Sequence, residues 1–217
     1  MSKRKIKLII FDLDGTLVDA YGAVAQSLNF ALKREGLPLV SYDIVKRSVG
    51  WGEKTLIRRL APASHARAVL KNYRKHHKLS LRDRAKFLPG ARKLIEDLHH
   101  EGYKLALASN RPTEFTEFIL KNLKVRKYFQ KVLCADKVRS PKPAPDLLKR
   151  ILKHFQLKPS QAIYVGDMII DIQTARRAKM RMVAVDTGSS TRKELKSLKP
   201  FKMVSRIIAL KRLLSNL

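Results

Sequence analysis

Cysteine is almost absent from this chain: Cys134 stands alone among 217 residues. No intrachain disulfide is possible, nothing calls for an oxidising compartment, and the reducing cytoplasm is the expected location. Long hydrophobic runs are missing as well. The apolar run behind the basic opening, Leu8-Ile9-Ile10-Phe11, ends at Asp12 and is too short for a signal peptide. No stretch approaches the roughly 20 apolar residues that a membrane-spanning helix needs. Acid is scarce, with 18 Asp and Glu against 47 Lys and Arg, a net charge of +29. Such a field attracts anions: a phosphorylated metabolite, a nucleic acid or an anionic membrane surface. The basic residues are spread along the chain rather than gathered in a block, as on a solvated basic surface. Internal repeats and low-complexity linkers are lacking too.

What is present is the balance of a globular protein, 45% apolar and 30% charged. The length suits one core plus a small inserted module and is too short for two large domains. Short apolar runs alternate with segments of helical period, the pattern of a parallel sheet flanked by helices. Strands are expected at Lys7–Phe11, Lys104–Ala108, Lys131–Cys134, Ala162–Val165 and Met182–Val185, with a short sixth at Lys202–Val204. Helices are expected at Gly90–Glu101, Thr113–Leu123, Ala144–Phe155 and Met168–Lys179. Between Phe11 and Lys104 there are about four helical patterns, near Gly22–Arg34, Tyr42–Arg47, Lys54–Leu60 and Ser64–Lys78, and no convincing strand. The expected fold is therefore α/β. A doubly wound, Rossmann-like core (residues 1–20 and 88–217) carries an inserted α-helical unit (residues 21–87). The stretch from Ser205 to Leu217 is expected to lay Ile207, Leu210, Leu213, Leu214 and Leu217 on the sheet as a last helix.

In an open parallel sheet, ligands gather outside the carboxyl ends of the strands. Those ends carry Asp12-Leu13-Asp14-Gly15-Thr16, Ser109-Asn110, Lys142 and Gly166-Asp167, with Asp171 one helical turn on. A phosphate dianion approaches such carboxylates only if a cation offsets the repulsion. Hard oxygen donors from Asp12 and Asp167 suit magnesium, with Asp171 nearby to orient a water or Lys142. Lys142 and Ser109 are placed to hold the transferring oxygens. Asp12, at the end of a buried strand, is the nucleophile of choice, and Asp14 is left for proton transfer. Asn110 either touches phosphate or fixes the turn before Pro112.

Asp-x-Asp-Gly-Thr, Ser-Asn, Lys-Pro-x-Pro and Gly-Asp-x-x-x-Asp, in this order, resemble the four motifs of the haloacid dehalogenase-like hydrolases, and the match spans essentially the whole chain. The resemblance implies an aspartyl-phosphate mechanism with these roles and adds the backbone carbonyl of Asp14 as a magnesium ligand. It also implies that the helical insertion is a cap closing over the substrate. Asp14 sets the chain apart from the dehalogenases that name the family, because a halide leaving group needs no acid. The segments Arg47–Glu53 and Gly166–Ala175 are most similar to phosphoglycolate phosphatases, although Ala20 and Trp51 depart from that group. A small phosphate monoester is the expected substrate. A nucleotidase, a pyrophosphatase or a sugar-phosphate mutase would use the same machinery, and a nucleic-acid-binding protein would use the basic surface instead.

Gly50, Trp51 and Gly52 form a candidate specificity loop, with Trp51 either a substrate wall or part of the cap core. The six histidines, including His76, His77, His99 and His100, read as surface residues. Cys134 reads as a packed strand residue.

Overall fold

The computed structural model describes residues 5–217, so residues 1–4 of the expected core segment lie outside it. In chain order the elements are β1 (Leu8–Phe11), β2 (Val18–Asp19), α1 (Tyr21–Arg34), α2 (Tyr42–Ser48), α3 (Glu53–Leu60), α4 (Ala66–Arg84) and β3 (Lys86–Phe87). Then follow α5 (Ala91–His100), β4 (Lys104–Ser109), α6 (Thr113–Asn122), β5 (Lys131–Cys134), α7 (Asp146–Phe155) and β6 (Ala162–Gly166). The chain ends with α8 (Ile169–Arg177), β7 (Arg181–Val185), α9 (Arg192–Ser197), β8 (Lys202–Val204) and α10 (Leu210–Ser215).

Six strands form one sheet in the order β5-β4-β1-β6-β7-β8, every pairing parallel. The apolar runs are continuous because both faces are covered. Along β1, Ile9 and Phe11 enter the cluster on one face while Leu8 and Ile10 enter that on the other. β4, β6 and β7 alternate likewise; Val183 and Val185 oppose Met182 and Ala184. Each Leu, Ile, Val, Phe or Met side chain buried in this way contributes about 1.5–3 kcal/mol by leaving water. Ile207, Leu210 and Leu214 close one face, as expected of the last helix.

The long interval before β4 folds into α1–α4, which share their own apolar cluster. Val24, Leu28, Ala31 and Leu32, on one stripe of α1, meet Val45, Leu56, Ile57, Val69 and Tyr73. Ser41 caps α2 by accepting the Ile44 N–H. Two details differ from expectation. The interval is not free of strands, since β2 and β3 pair antiparallel, Val18 opposite Phe87 and Asp19 opposite Lys86, where the chain leaves and re-enters the core. Two-residue strands leave no periodic trace in a sequence. α4 also runs on to Arg84, beyond the expected end at Lys78, because Ser80 and Leu81 are buried against the core as well.

Candidate active site

β1 lies in the middle of the sheet, flanked by β4 and β6, so the loops leaving these three strands meet. The loop after β1 is tight: the N–H groups of Thr16, Leu17 and Val18 all converge on the Leu13 carbonyl. Gly15 sits there at φ +80°, and a Cβ at this position would meet the Asp167 carboxylate at 2.5 Å, so glycine is required on both counts. The turn presents Asp12, 5% exposed, and Asp14 to one cleft.

Asp12, Asp167 and Asp171 are all buried, with carboxylate oxygens within 4.8 Å of one another. Lys142, also buried, stands among them. Its Nζ donates to Asp12 Oδ1 at 2.8 Å, to Asp171 Oδ1 at 2.7 Å and to the Tyr164 hydroxyl at 3.1 Å. All three ammonium hydrogens are thereby used. Asp171 is held further by Tyr164, which donates to Oδ1 at 2.6 Å, and by the Met168 N–H, which donates to Oδ2 at 3.0 Å. Asp167 accepts from the Thr16 hydroxyl at 2.9 Å and from the Ser189 N–H at 3.2 Å.

The electrostatics follow from three buried carboxylates facing one ammonium. Burial pushes the Asp12 carboxyl up to about 7 against the pull of Lys142. Burial, with Asp171 and Asp12 beside it, holds Asp167 well above the usual carboxylate range. Burial alone would lower the Lys142 ammonium, yet Asp12 and Asp171 raise it above its ordinary value, so it stays charged. A divalent cation fits this donor set, because it would offset the negative charge that Lys142 leaves unbalanced.

Ser109 lines the cleft. Its Oγ accepts the Arg111 N–H at 3.1 Å, which leaves the hydroxyl proton free to donate, and it does not cap α6, whose N-cap is Pro112. Asn110 spends its amide on backbone: Oδ1 accepts the Lys142 N–H, while Nδ2 donates to the carbonyls of Lys142 and Gly50. It fixes the loop, and no amide hydrogen is left for phosphate. Gly50 and Gly52 line the cleft, whereas Trp51 does not; the Arg59 guanidinium lies 5.2 Å from its ring centroid.

Several residues escaped the sequence reading. Arg111 makes a two-pronged ion pair with Asp14, Nε to Oδ2 at 2.9 Å and Nη2 to Oδ1 at 2.8 Å. Its Nη1 donates to His77 Nε2 at 2.6 Å. A basic residue directly after Ser109-Asn110 was the available signal. Tyr164, the polar-tipped residue in an otherwise aliphatic strand, was another. Thr16 lay inside the first motif without an assigned role. His77 is not a surface residue: it is fully buried beneath Arg111, Tyr73 and Ser27. Helical spacing marks its face, but only the neighbouring core decides that this face is covered. Cys134 is buried in β5 as expected.

The cleft between these strand ends and the helical insertion encloses about 60 Å³. Glu53 lines it too, with Oε1 bound to Arg74 and a buried Oε2 that has no hydrogen-bond partner.

This arrangement has close counterparts. The pattern of the family described as haloacid dehalogenase-like hydrolase matches residues 9–185. A phosphoglycolate phosphatase of Vibrio parahaemolyticus is 33% identical over 193 residues, covering 82% of this chain and 82% of that one. Another, of Nitrosococcus oceani, is 29% identical over 218 residues and covers 97% of each chain. The crystal structure of a predicted phosphoglycolate phosphatase from Haemophilus somnus 129pt superposes with a TM-score of 0.93 at 26% identity, covering 98% of this chain and 99% of that chain. The order of the sheet, the four loops that meet at its edge and these matches lead to one conclusion: the chain belongs to the haloacid dehalogenase-like hydrolase family and is a phosphatase.

Proposed function

We propose that the protein hydrolyses a small phosphate monoester, phosphoglycolate or a close relative, with magnesium and through a phosphoryl group carried on Asp12. The observation that carries this reading is the cluster of Asp12, Asp167, Asp171 and Lys142 at the carboxyl ends of β1 and β6, with Asp14 beside it. Asp12 Oδ attacks phosphorus as the bond to the leaving oxygen breaks, and Asp14, in its protonated form, gives that oxygen its proton. Water then attacks the phosphorus, Asp14 takes the water's proton, and the bond to Asp12 breaks to free inorganic phosphate. Lys142 and Ser109 hold the transferring oxygens. Asp12, Asp167 and the Asp14 carbonyl would hold magnesium, with Asp171 fixing Lys142 from behind; the bound ion supplies the positive charge that lets a dianion approach carboxylates. In this reading residues 21–87 serve as a cap over a core of residues 1–20 and 88–217, and the cap keeps bulk water from the acyl phosphate.

The relatives named phosphoglycolate phosphatase and the small cleft support a compact leaving group. A lone buried thiol, with no helix among the described residues long and apolar enough to cross a membrane, supports a cytoplasmic setting. The test is phosphate release from a panel of monoesters, with and without magnesium, for the wild type beside Asp12→Asn. Magnesium-dependent turnover of phosphoglycolate that vanishes in the variant supports the whole reading. Turnover of another ester keeps the chemistry and discards the substrate, and an isomeric product would mean a mutase. An Asp12→Asn variant as active as the wild type would sink the mechanism.

A further inference from the structure

Resting on the phosphatase reading, we propose that Arg111 is the specificity-determining residue of the cleft: it recognises a carboxylate on the leaving group, and it releases Asp14 when that carboxylate arrives. Among the described residues only two cations, Lys142 and Arg111, line the cleft. Lys142 is tied to Asp12, Asp171 and Tyr164 at the end of the cleft where the phosphoryl group is transferred, and so serves the phosphate. A second negative group on a substrate therefore has one partner, Arg111.

Arg111 is built for that contact. Its side chain is 8% exposed and is braced from the helical insertion, where α4 supplies His77 to Nη1. His77 is held in the neutral form by burial and by the adjacent Arg111 charge, so it accepts from the guanidinium rather than opposing it. Asp14 and His77 use three of the five guanidinium hydrogens, which leaves two. A planar guanidinium takes a carboxylate in two parallel hydrogen bonds, a geometry that an ammonium cannot reproduce. Glu53, another carboxylate lining the cleft, is paired with Arg74 through Oε1; its charge also acts on Arg111.

The pair with Asp14 gives this recognition a consequence. Both oxygens of Asp14 accept from Arg111, so the guanidinium sets how this carboxylate is oriented in the cleft. A carboxylate that first meets the two free hydrogens and then moves onto Nε and Nη2 in place of Asp14 keeps the number of hydrogen bonds to the guanidinium. A substrate carboxylate that takes over Arg111 frees Asp14, which then takes up a proton from solvent water and can serve as the acid. An ester without a carboxylate would bind its phosphate but leave Asp14 paired. Binding of the correct leaving group is in this way coupled to readiness of the acid.

The test is inhibition of magnesium-dependent p-nitrophenyl phosphate hydrolysis by glycolate and, separately, by inorganic phosphate, for the wild type, Arg111→Met and Arg111→Lys. The glycolate inhibition constant should rise at least tenfold in Arg111→Met and by less in Arg111→Lys, while that of phosphate moves no more than about threefold. The ratio of kcat/KM for phosphoglycolate over p-nitrophenyl phosphate should fall about 100-fold in Arg111→Met. Glycolate and phosphate constants that shift together, or a glycolate constant that does not shift, would overturn the proposal. Arg111→Lys keeps a charge opposite Asp14 and serves if Arg111→Met fails to fold. Should the wild type hydrolyse no ester at all, the phosphatase reading fails by itself. Glycolate binding to the same proteins, followed by calorimetry, then decides Arg111 alone: binding lost in the variant upholds its role and binding retained refutes it.

Discussion

Asn110 grips the backbone of Lys142 from both sides, accepting its N–H at 2.9 Å and donating to its carbonyl at 3.0 Å. The same amide reaches the Gly50 carbonyl of the helical insertion at 3.0 Å, so one side chain aligns the lysine loop and ties the insertion to the core.

Asn110→Leu keeps the size and removes these bonds, leaving buried backbone groups without partners at about 1–3 kcal/mol each. Thermal unfolding should drop by several degrees, and kcat/KM should fall about 100-fold as Lys142 loses its position. A variant that is less stable yet as active as the wild type would show that Lys142 is placed by other contacts.

Magnesium should stabilise the folded protein, because a divalent ion offsets repulsion among Asp12, Asp167 and Asp171. At a concentration about 100 times its dissociation constant the gain is about 2.7 kcal/mol, which for a chain of this length is several degrees in the midpoint of thermal unfolding. Chelation should reverse the gain, and Asp167→Asn should show little of it. An equal response in that variant would move the ion elsewhere.

His77 makes stability fall in mild acid. Burial, Arg111 and His76 hold its folded-state value well below the ordinary 6.5, and Tyr73, Ser27 and Phe115 complete its surroundings. Below about pH 6.5 the unfolded chain binds a proton that the folded chain refuses, so stability drops as pH falls from there toward the folded value. Urea midpoints at pH 7.5 and pH 5 should differ more for the wild type than for His77→Gln. Identical pH slopes would mean that this histidine contributes nothing to the acid sensitivity.

Cys134 should resist alkylation. Burial pushes its thiol up to about 11, against a pull from Thr116 and Thr113, so little thiolate exists at pH 8. Labelling by iodoacetamide should be slow in native buffer and fast in denaturing urea. Rapid native labelling would mean that β5 opens readily.

Much of the fold was legible in advance because its signals are local. A buried parallel strand must be apolar on both faces, and the strands expected at Lys7–Phe11 and Ala162–Val165 read that way without any neighbour. Strand ends are where a parallel sheet gathers polar groups, so Asp12, Asp14, Ser109, Lys142, Asp167 and Asp171 could be named from position and chemical type. What only the tertiary structure decided are relations between segments far apart in the chain. The pairing of Arg111 with Asp14, the burial of His77 beneath it and the use of Asn110 on backbone all depend on how the insertion sits over the sheet. The two-residue pairing of β2 with β3 depends on closing the long segment of residues 20–85. The physical reason is the same in each case: periodicity and motif spacing record which face of an element is apolar, while the partner that covers a polar group is set by packing across long sequence separations.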